Sequence, residues 1–575
     1  MPGPDRRRRA LAVVVALAAA GGAVVLLPGT TEAASGATPR PTPGTPHVLR
    51  PLTATEEPPG TLRVDAAGTA TLVDTNTECG APAADPVPDG QDIVVKIGQG
   101  PAFVVGRIDA SWWAKPPYGD ATWQLQLRGF MWLQPLARRA YQDGQTQSMK
   151  TLVDQVLAFH RQNPDPGAGT ATSKAKANAS GWDEGTALRR LGAENCLYSL
   201  THDARIAAVM AKDVNVQFGP RYYGPPSYIV HNHGVMADLA VVRAADLVGR
   251  ADWSKRSISR LVANAAGPWT PVGTSIEQSS GYHLFNVALW HEVVDMLGTH
   301  GVAASSVQRV RDLVARADRV SPWLTEPDGH LVVLGDSTAA AGVRRSLWTG
   351  RTFRDDRAGL GVGRWSWTDS DTSYYTIRYG PRRTAHGQQE RAGVTWSTGG
   401  RRVLVGPGKA PYDAAGNYRA WGGGPRAHNV AIADHHALDL KAAVALKGRT
   451  IRASSHSWTT EDRLFGVRHV RQYSIVRGTR TLVVKDTYDG RAALHQFWHL
   501  DPSWTLVSRS RDGKRLTFRS GTRSLTVTTT GVATVLRGIS RPLAGWNFPD
   551  FGTRVPANEI QVRAAGTATT TFALR

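Results

Sequence analysis

Residues 121–142 read ATWQLQLRGFMWLQPLARRAYQ and residues 374–379 read YYTIRY; the change of apolar period between them decides the fold. In the first stretch Trp123, Leu125, Leu127, Phe130, Met131, Leu133 and Leu136 recur at helical spacing, up to Gln142-Asp143-Gly144. Helical patterns continue over 147–162, 183–200, 203–216, 231–248, 253–265, 277–298 and 304–318, joined by short turns rich in Gly, Pro, Asp or Asn. Helices linked so closely must pack antiparallel. No fixed period repeats, so a regular solenoid is disfavoured and an α/α array is expected. In the second stretch the period falls to two. Strands are expected over 393–397, 402–405, 429–433, 467–476, 481–485, 516–518 and 524–530, with Val, Thr and Ile enriched and Gly, Asp and Asn at the joints. Many short strands at this spacing argue for an antiparallel sandwich. The expected chain is therefore α+β and multidomain: a helical domain over 61–345 with a short N-terminal strand segment, then a β-sandwich domain over 346–575.

Outward from this body, the N-terminal segment speaks to compartment. Arg6 to Arg9 are followed by an unbroken apolar run from Ala10 to Leu27, then by Pro28, Gly29 and Thr31-Glu32-Ala33-Ala34. Residues 1–34 thus read as a secretory signal peptide, cut after Ala33 or Ala34; the competing reading is an uncleaved anchor, since the run just suffices to span a bilayer. Residues 35–60, with Thr38-Pro39-Arg40-Pro41-Thr42-Pro43, read as a tether. The expectation is a secreted protein with no stable membrane insertion after cleavage.

The chain has 575 residues, 68 Lys and Arg against 47 Asp and Glu, and a formal charge of +21. An acidic partner suits that balance, although drift in composition explains it equally well. Outside the cell, nucleic acid gives way to an acidic polysaccharide as the expected partner. Two cysteines exclude a cysteine-based zinc or iron–sulfur module with a full ligand set. Whether Cys79 and Cys196 pair is a question of distance that sequence leaves open.

Four short stretches carry the candidate chemistry: His231-Asn232-His233-Gly234, Ser280-Gly281-Tyr282-His283, Gly335-Asp336-Ser337 and His386-Gly387-Gln388-Gln389-Glu390. Singly, each has a plain structural reading, as a core histidine, a packing aromatic or a turn aspartate. In this order, with Trp182 and Arg190-Leu191 before them, Glu277 and Gly281 beside Tyr282-His283, and Gly329, Pro407-Gly408 and His428-Asn429 among them, the chain resembles the heparinase II/III-like polysaccharide lyases over roughly residues 110–500. The resemblance implies an (α/α) toroid followed by an antiparallel β-sandwich, with the active cleft between them, and cleavage of a uronate polysaccharide by β-elimination.

That reaction removes a barely acidic proton at C5 of the uronate, so the neighbouring carboxylate must first be neutralised or hydrogen-bonded. An acid must also protonate the leaving O4. By resemblance Asn232 is the carboxylate donor, Tyr282 the general acid and also a candidate base, His233 the base for the opposite C5 epimer, and His386 the completion of the carboxylate clamp. Trp182, Arg190, Gln388 and Tyr412 are candidate substrate contacts; for Trp182 and Arg190 a core tryptophan and a helix-surface arginine are equally open. Several relatives bind zinc in the sandwich through a His two residues after the first His, an Asp in the strand that follows, and a distant His. In this chain those positions are Gln388, Gly406 and His428. One histidine does not make a closed zinc site, so no metal and no cofactor are expected; a realigned site would need Glu390 or Asp413. The competing functions are a glycoside hydrolase on a similar toroid, which needs two flanking carboxyls from among Asp183, Glu184, Glu277 and Asp336, and a noncatalytic polysaccharide- or wall-binding protein.

Overall fold

The computed structural model describes residues 13–15, 61–64, 70–73, 79–98, 100–167, 180–219, 232–343, 350–411, 417–551 and 553–575. The signal-peptide and tether expectations otherwise fall outside these residues, as do His231, Tyr412 and Asp413. The chain divides into two compact units, one built mainly of Val73–Asn264 and the other mainly of Ala265–Arg575. A small three-stranded sheet is formed by Val13–Val15, Thr61–Val64 and Ala70–Val73. No helix among the described residues is long and apolar enough to cross a membrane.

The first unit is helical. Its helices are Ala121–Arg128, Leu133–Gln142, Thr146–Gln162, Glu184–Thr201, Ala204–Phe218, Asn232–Val248 and Ala251–Asn264. The single run expected over 121–142 is two helices, because Gly129 ends the first and Phe130 takes a left-handed φ of 51°. A Cβ at Gly129 would stand 2.7 Å from the Leu125 carbonyl oxygen, so the break depends on glycine. Glu184–Thr201 is the central helix, with every residue from Gly185 to Leu197 buried. Such a helix packs on all sides. Asp183 caps it, accepting hydrogen bonds from the Thr186 amide and hydroxyl at 2.9 and 2.6 Å. Cys196 of this helix forms a disulfide with Cys79, which settles the pairing that sequence left open. A bridge across 117 residues removes roughly 4–5 kcal/mol of chain entropy from the unfolded state.

The second unit begins with the helices Ser280–Thr299 and Ala304–Asp318 and continues as antiparallel sheet. Five strands run in the order 401–404, 394–398, 374–378, 360–364, 352–355; four in the order 431–433, 493–499, 558–565, 532–537; and eight in the order 444–451, 455–462, 469–476, 481–488, 567–574, 523–529, 515–520, 505–509. Strict alternation of buried and less buried residues over Ser455–Asp462 and Thr481–Tyr488 shows one face turned to a core. Trp396, Trp458, Trp498, Phe518 and Phe572 fill that core. The fold class read from the sequence is the one observed, helices first and antiparallel sheets after.

One layer of the sandwich interior is polar. His469 Nδ1 lies 2.9 Å from Asp462 and its Nε2 2.7 Å from Asp486, while Gln496 donates to Asp486 and accepts from Thr570. Burial disfavours an imidazolium, but the two carboxylates outweigh it and push the His469 pKa up to about 9. A histidine whose pKa rises on folding stabilises fully below its unfolded value of 6.5, and the benefit disappears as pH rises through about 9. The stability difference between the parent and His469→Gln should therefore be largest near pH 6 and shrink toward pH 9.5, as read by thermal denaturation at a series of pH values. A difference that is constant over that range contradicts the imidazolium assignment.

Candidate functional site

Three chain segments interlock around the start of helix Ser280–Thr299. The Ser279 hydroxyl caps the helix, accepting from the Tyr282 amide at 3.3 Å and donating to the Asp336 carbonyl at 2.8 Å. The Asp336 amide donates to the His386 carbonyl at 2.8 Å, and the His386 amide donates to the Glu277 carbonyl at 3.2 Å. Gly335 sits between them at φ +62°, where a Cβ would lie 2.6 Å from the His386 carbonyl oxygen, so only glycine lets the segments approach. These bonds fix the backbone of Tyr282, Asp336 and His386.

The side chains then complete a cluster. The rings of Tyr282 and His386 stack with centroids 3.4 Å apart and planes 6° from parallel. His386 Nδ1 lies 3.2 Å from Asp336 Oδ2, and its Nε2 lies 3.5 Å from Glu277 Oε2. Asn286, one turn on from Tyr282, donates to both the Glu277 carboxylate and the Tyr282 carbonyl at 2.9 Å. Asp336 takes a two-pronged ion pair from Arg419, with Nη1 to Oδ1 at 2.7 Å, and a further hydrogen bond from Gln388 Nε2 at 2.9 Å. Burial opposes ionisation of Asp336, but the hydrogen bonds from His386 and Arg419 win and hold it well below the usual carboxylate range. Lys409 donates from Nζ to the Tyr282 hydroxyl at 3.2 Å.

Of the residues expected from sequence, Tyr282, His386 and Gln388 thus belong to one cluster in the second unit. Gln388 is buried, and its amide nitrogen is committed to Asp336 and to the Gly408 carbonyl at 3.2 Å. Asn232 and His233 open the helix Asn232–Val248 of the first unit. Asn232 is buried, and His233 Nδ1 lies 3.4 Å from Glu184 Oε1 with both side chains about one third exposed. Tyr412 lies outside the described residues. Sequence reasoning missed Lys409 and Arg419. Lys409 directly follows the Pro407-Gly408 pair and was legible as a cation beside that turn; Arg419, in the short helix Tyr418–Gly423, carries no such signal.

Two expectations are corrected. Trp182 and Arg190 do not line a sugar-facing surface in the first unit. Trp182 is 1% exposed and donates from its indole to the Asn163 carbonyl at 2.9 Å. Arg190 is fully buried, paired through Nε and Nη2 with both Asp213 oxygens at 2.8 and 2.7 Å, and lies over the Trp182 and Phe159 rings. A core arginine is retained where a carboxylate of the protein itself balances it. His283 is likewise a core residue. Its nitrogens face the Ser275 amide and the Ala317 carbonyl, and burial pushes its pKa down to about 4.

The zinc positions of relatives do not fit a metal here. Gln388 has its Nε2 already used as a donor, and its buried Oε1, which has no hydrogen-bond partner among the described residues, is a neutral amide oxygen rather than the imidazole nitrogen that zinc takes in relatives. A Cβ at Gly406 would meet the Val333 carbonyl oxygen at 2.5 Å, so an aspartate has no room without a backbone shift. His428 turns Nε2 to the Gly422 carbonyl at 3.1 Å, and burial pushes its pKa down to about 3. Glu390, the realigned alternative, is ion-paired with Arg378 at 3.0 Å and accepts from the Gly335 amide.

Residues 98–356 match the family described as Heparinase II/III N-terminus, and residues 354–573 match Heparinase II/III-like, C-terminal. Among solved structures, the crystal structure of heparinase III is 15% identical, with 80% of this chain and 78% of that chain covered and a TM-score of 0.68. The heparan sulfate lyase HepC from Pedobacter heparinus is 14% identical, with 87% and 85% covered and a TM-score of 0.56. Identities this low speak to the fold alone. No curated protein matches the chain.

The donor set leads to a simple expectation. Elemental analysis of the purified protein should find less than stoichiometric zinc, and treatment with a chelator should leave its melting temperature unchanged. One tightly held zinc per chain would overturn the fit argument.

Proposed function

The chain belongs to the heparinase II/III-like family, and from that premise we propose that it is a secreted polysaccharide lyase that cleaves a uronate-containing acidic polysaccharide by β-elimination. The observation that carries this reading is the Tyr282–His386 stack, with His386 tied to Asp336 and the Tyr282 hydroxyl held by Lys409. It supplies what the elimination needs at one place: a phenol that gives and takes a proton, beside fixed positive charge.

Asn232 donates to the uronate carboxylate, so that charge building on C5 spreads onto a hydrogen-bonded oxygen. His386 Nε2, which faces Glu277 at 3.5 Å, is the nitrogen that the uronate carboxylate shares. Tyr282 protonates the leaving O4, and His233 takes the C5 proton from substrates of the opposite configuration. The bond from C4 to O4 breaks as the C4–C5 double bond forms, and no nucleophile or redox step is required. The formal charge of +21 suits a polyanion.

The hydrolase alternative loses support at its carboxyl groups. Asp336 is locked in an ion pair and kept ionised, the opposite of a general acid whose pKa must be raised. Asp183 is spent as a helix cap. A purely binding protein has no need of a buried phenol beside an ammonium.

A screen of purified protein on glycosaminoglycans, alginate-like polymers and bacterial uronans should give new ultraviolet absorbance from the unsaturated product on at least one. Tyr282→Phe should lower that rate by about 100- to 10,000-fold while leaving polymer binding nearly intact, because the ring stays and the proton donor goes. Reducing ends without the absorbance would instead mark a hydrolase. A Tyr282→Phe variant working at the parent rate would remove Tyr282 from the chemistry.

A further inference from the structure

The segment Gly406-Pro407-Gly408 is fastened by its backbone. The Gly406 carbonyl accepts from Asn547 Nδ2 at 3.0 Å, the Pro407 carbonyl from the Phe548 amide at 2.7 Å, and the Gly408 carbonyl from Gln388 Nε2 at 3.2 Å. Gly408 has φ +93°, and a Cβ there would stand 2.0 Å from the Phe548 carbonyl oxygen. The turn therefore has one conformation, and it delivers the next residue, Lys409, to a fixed place. Lys409 is 3% exposed, an unusual state for an ammonium. Its Nζ lies 3.2 Å from the Tyr282 hydroxyl and 5.1 Å from the centroids of both Tyr282 and Phe551.

Burying an ammonium is costly unless something repays the lost hydration. A phenolate does so better than a phenol, because opposite charges this close favour each other's charged form. His386 covers the Tyr282 ring, its nitrogens face Asp336 and Glu277, and Arg419 neutralises Asp336.

We propose that Lys409 is a positioning residue that fixes the Tyr282 hydroxyl and favours its phenolate, so that Tyr282 serves as base and then as acid on the same proton. The inference rests on the lyase reading above. In the step it implies, the phenolate takes the proton from C5 and becomes a phenol. The electron pair left on C5 forms the C4–C5 double bond as the C4–O4 bond breaks. The phenol then returns the proton to O4 and the phenolate is restored, with no net gain or loss of protons.

The test needs Lys409→Met, which keeps the length and removes the charge, and Lys409→Arg, which keeps the charge. Tyrosinate absorbance is titrated in the parent and in Tyr282→Phe, and the difference isolates Tyr282 without any substrate. The expected result is a Tyr282 transition below the free-tyrosine value of about 10, moved up by about one to three pH units in Lys409→Met and largely kept in Lys409→Arg. On an active polymer, the acid limb of the pH–rate profile should move up with it in Lys409→Met while KM changes little. A Tyr282 transition at or above the free value in the parent, or one unmoved in Lys409→Met, overturns the proposal. So does a Lys409→Met variant whose only change is a raised KM, which would make Lys409 a substrate contact. Failure of the lyase reading is separate: it appears as Tyr282→Phe still forming unsaturated product, whatever the titration shows.

Discussion

The ion pair between Asp336 and Arg419 is the constraint on which the site depends. Asp336 is almost wholly buried, and an isolated carboxylate there would be driven to protonate. Arg419, His386 and Gln388 together keep it charged, and the cost of burial is offset by three charge-assisted hydrogen-bonding partners rather than one. The same carboxylate then sets the orientation of the His386 ring, and the ring sets the face against which Tyr282 lies. Asp336 touches no reacting atom in this account. It acts through His386.

The fold was readable because both periodicities are strong where the core is apolar. The helices Thr146–Gln162, Glu184–Thr201 and Asn232–Val248 begin and end within a residue or two of the expected spans. Strands with apolar inward faces, such as Tyr374–Arg378, were equally plain. Strand Ser455–Asp462 was not, because it turns His456, Trp458, Thr460 and Asp462 inward, and three of those four look like surface residues in a sequence. Apart from the Leu464 amide, which donates to Asp462 from the adjoining turn, the partners of its inward polar groups lie in other strands, on Tyr375, Tyr473 and His469, which no local pattern reveals.

The site was legible in part for a similar reason. Tyr282, His386 and Gly335-Asp336-Ser337 all stood out as motifs, yet the sequence presented Asp336 only as a candidate carboxyl or a turn residue, not as the group that orients His386. The Asp336 partner Arg419 lies 83 residues further on, so nothing local joined the two. Trp182 and Arg190 show the converse failure. An aromatic and a cation eight residues apart look like a sugar-binding pair, but Asp213 on the next helix takes the guanidinium into the core. Burial decided the matter, and burial is a property of the tertiary fold.

The claim that Asp336 works through His386 is tested most directly by a double-mutant cycle on turnover, comparing Asp336→Asn, His386→Ala and the double variant on whichever uronate polymer the protein cleaves. Groups that act as one unit lose their effect once. The account predicts that Asp336→Asn slows the parent strongly but adds little to His386→Ala. Losses that simply multiply in the double variant would show that Asp336 and His386 act independently, and would contradict it.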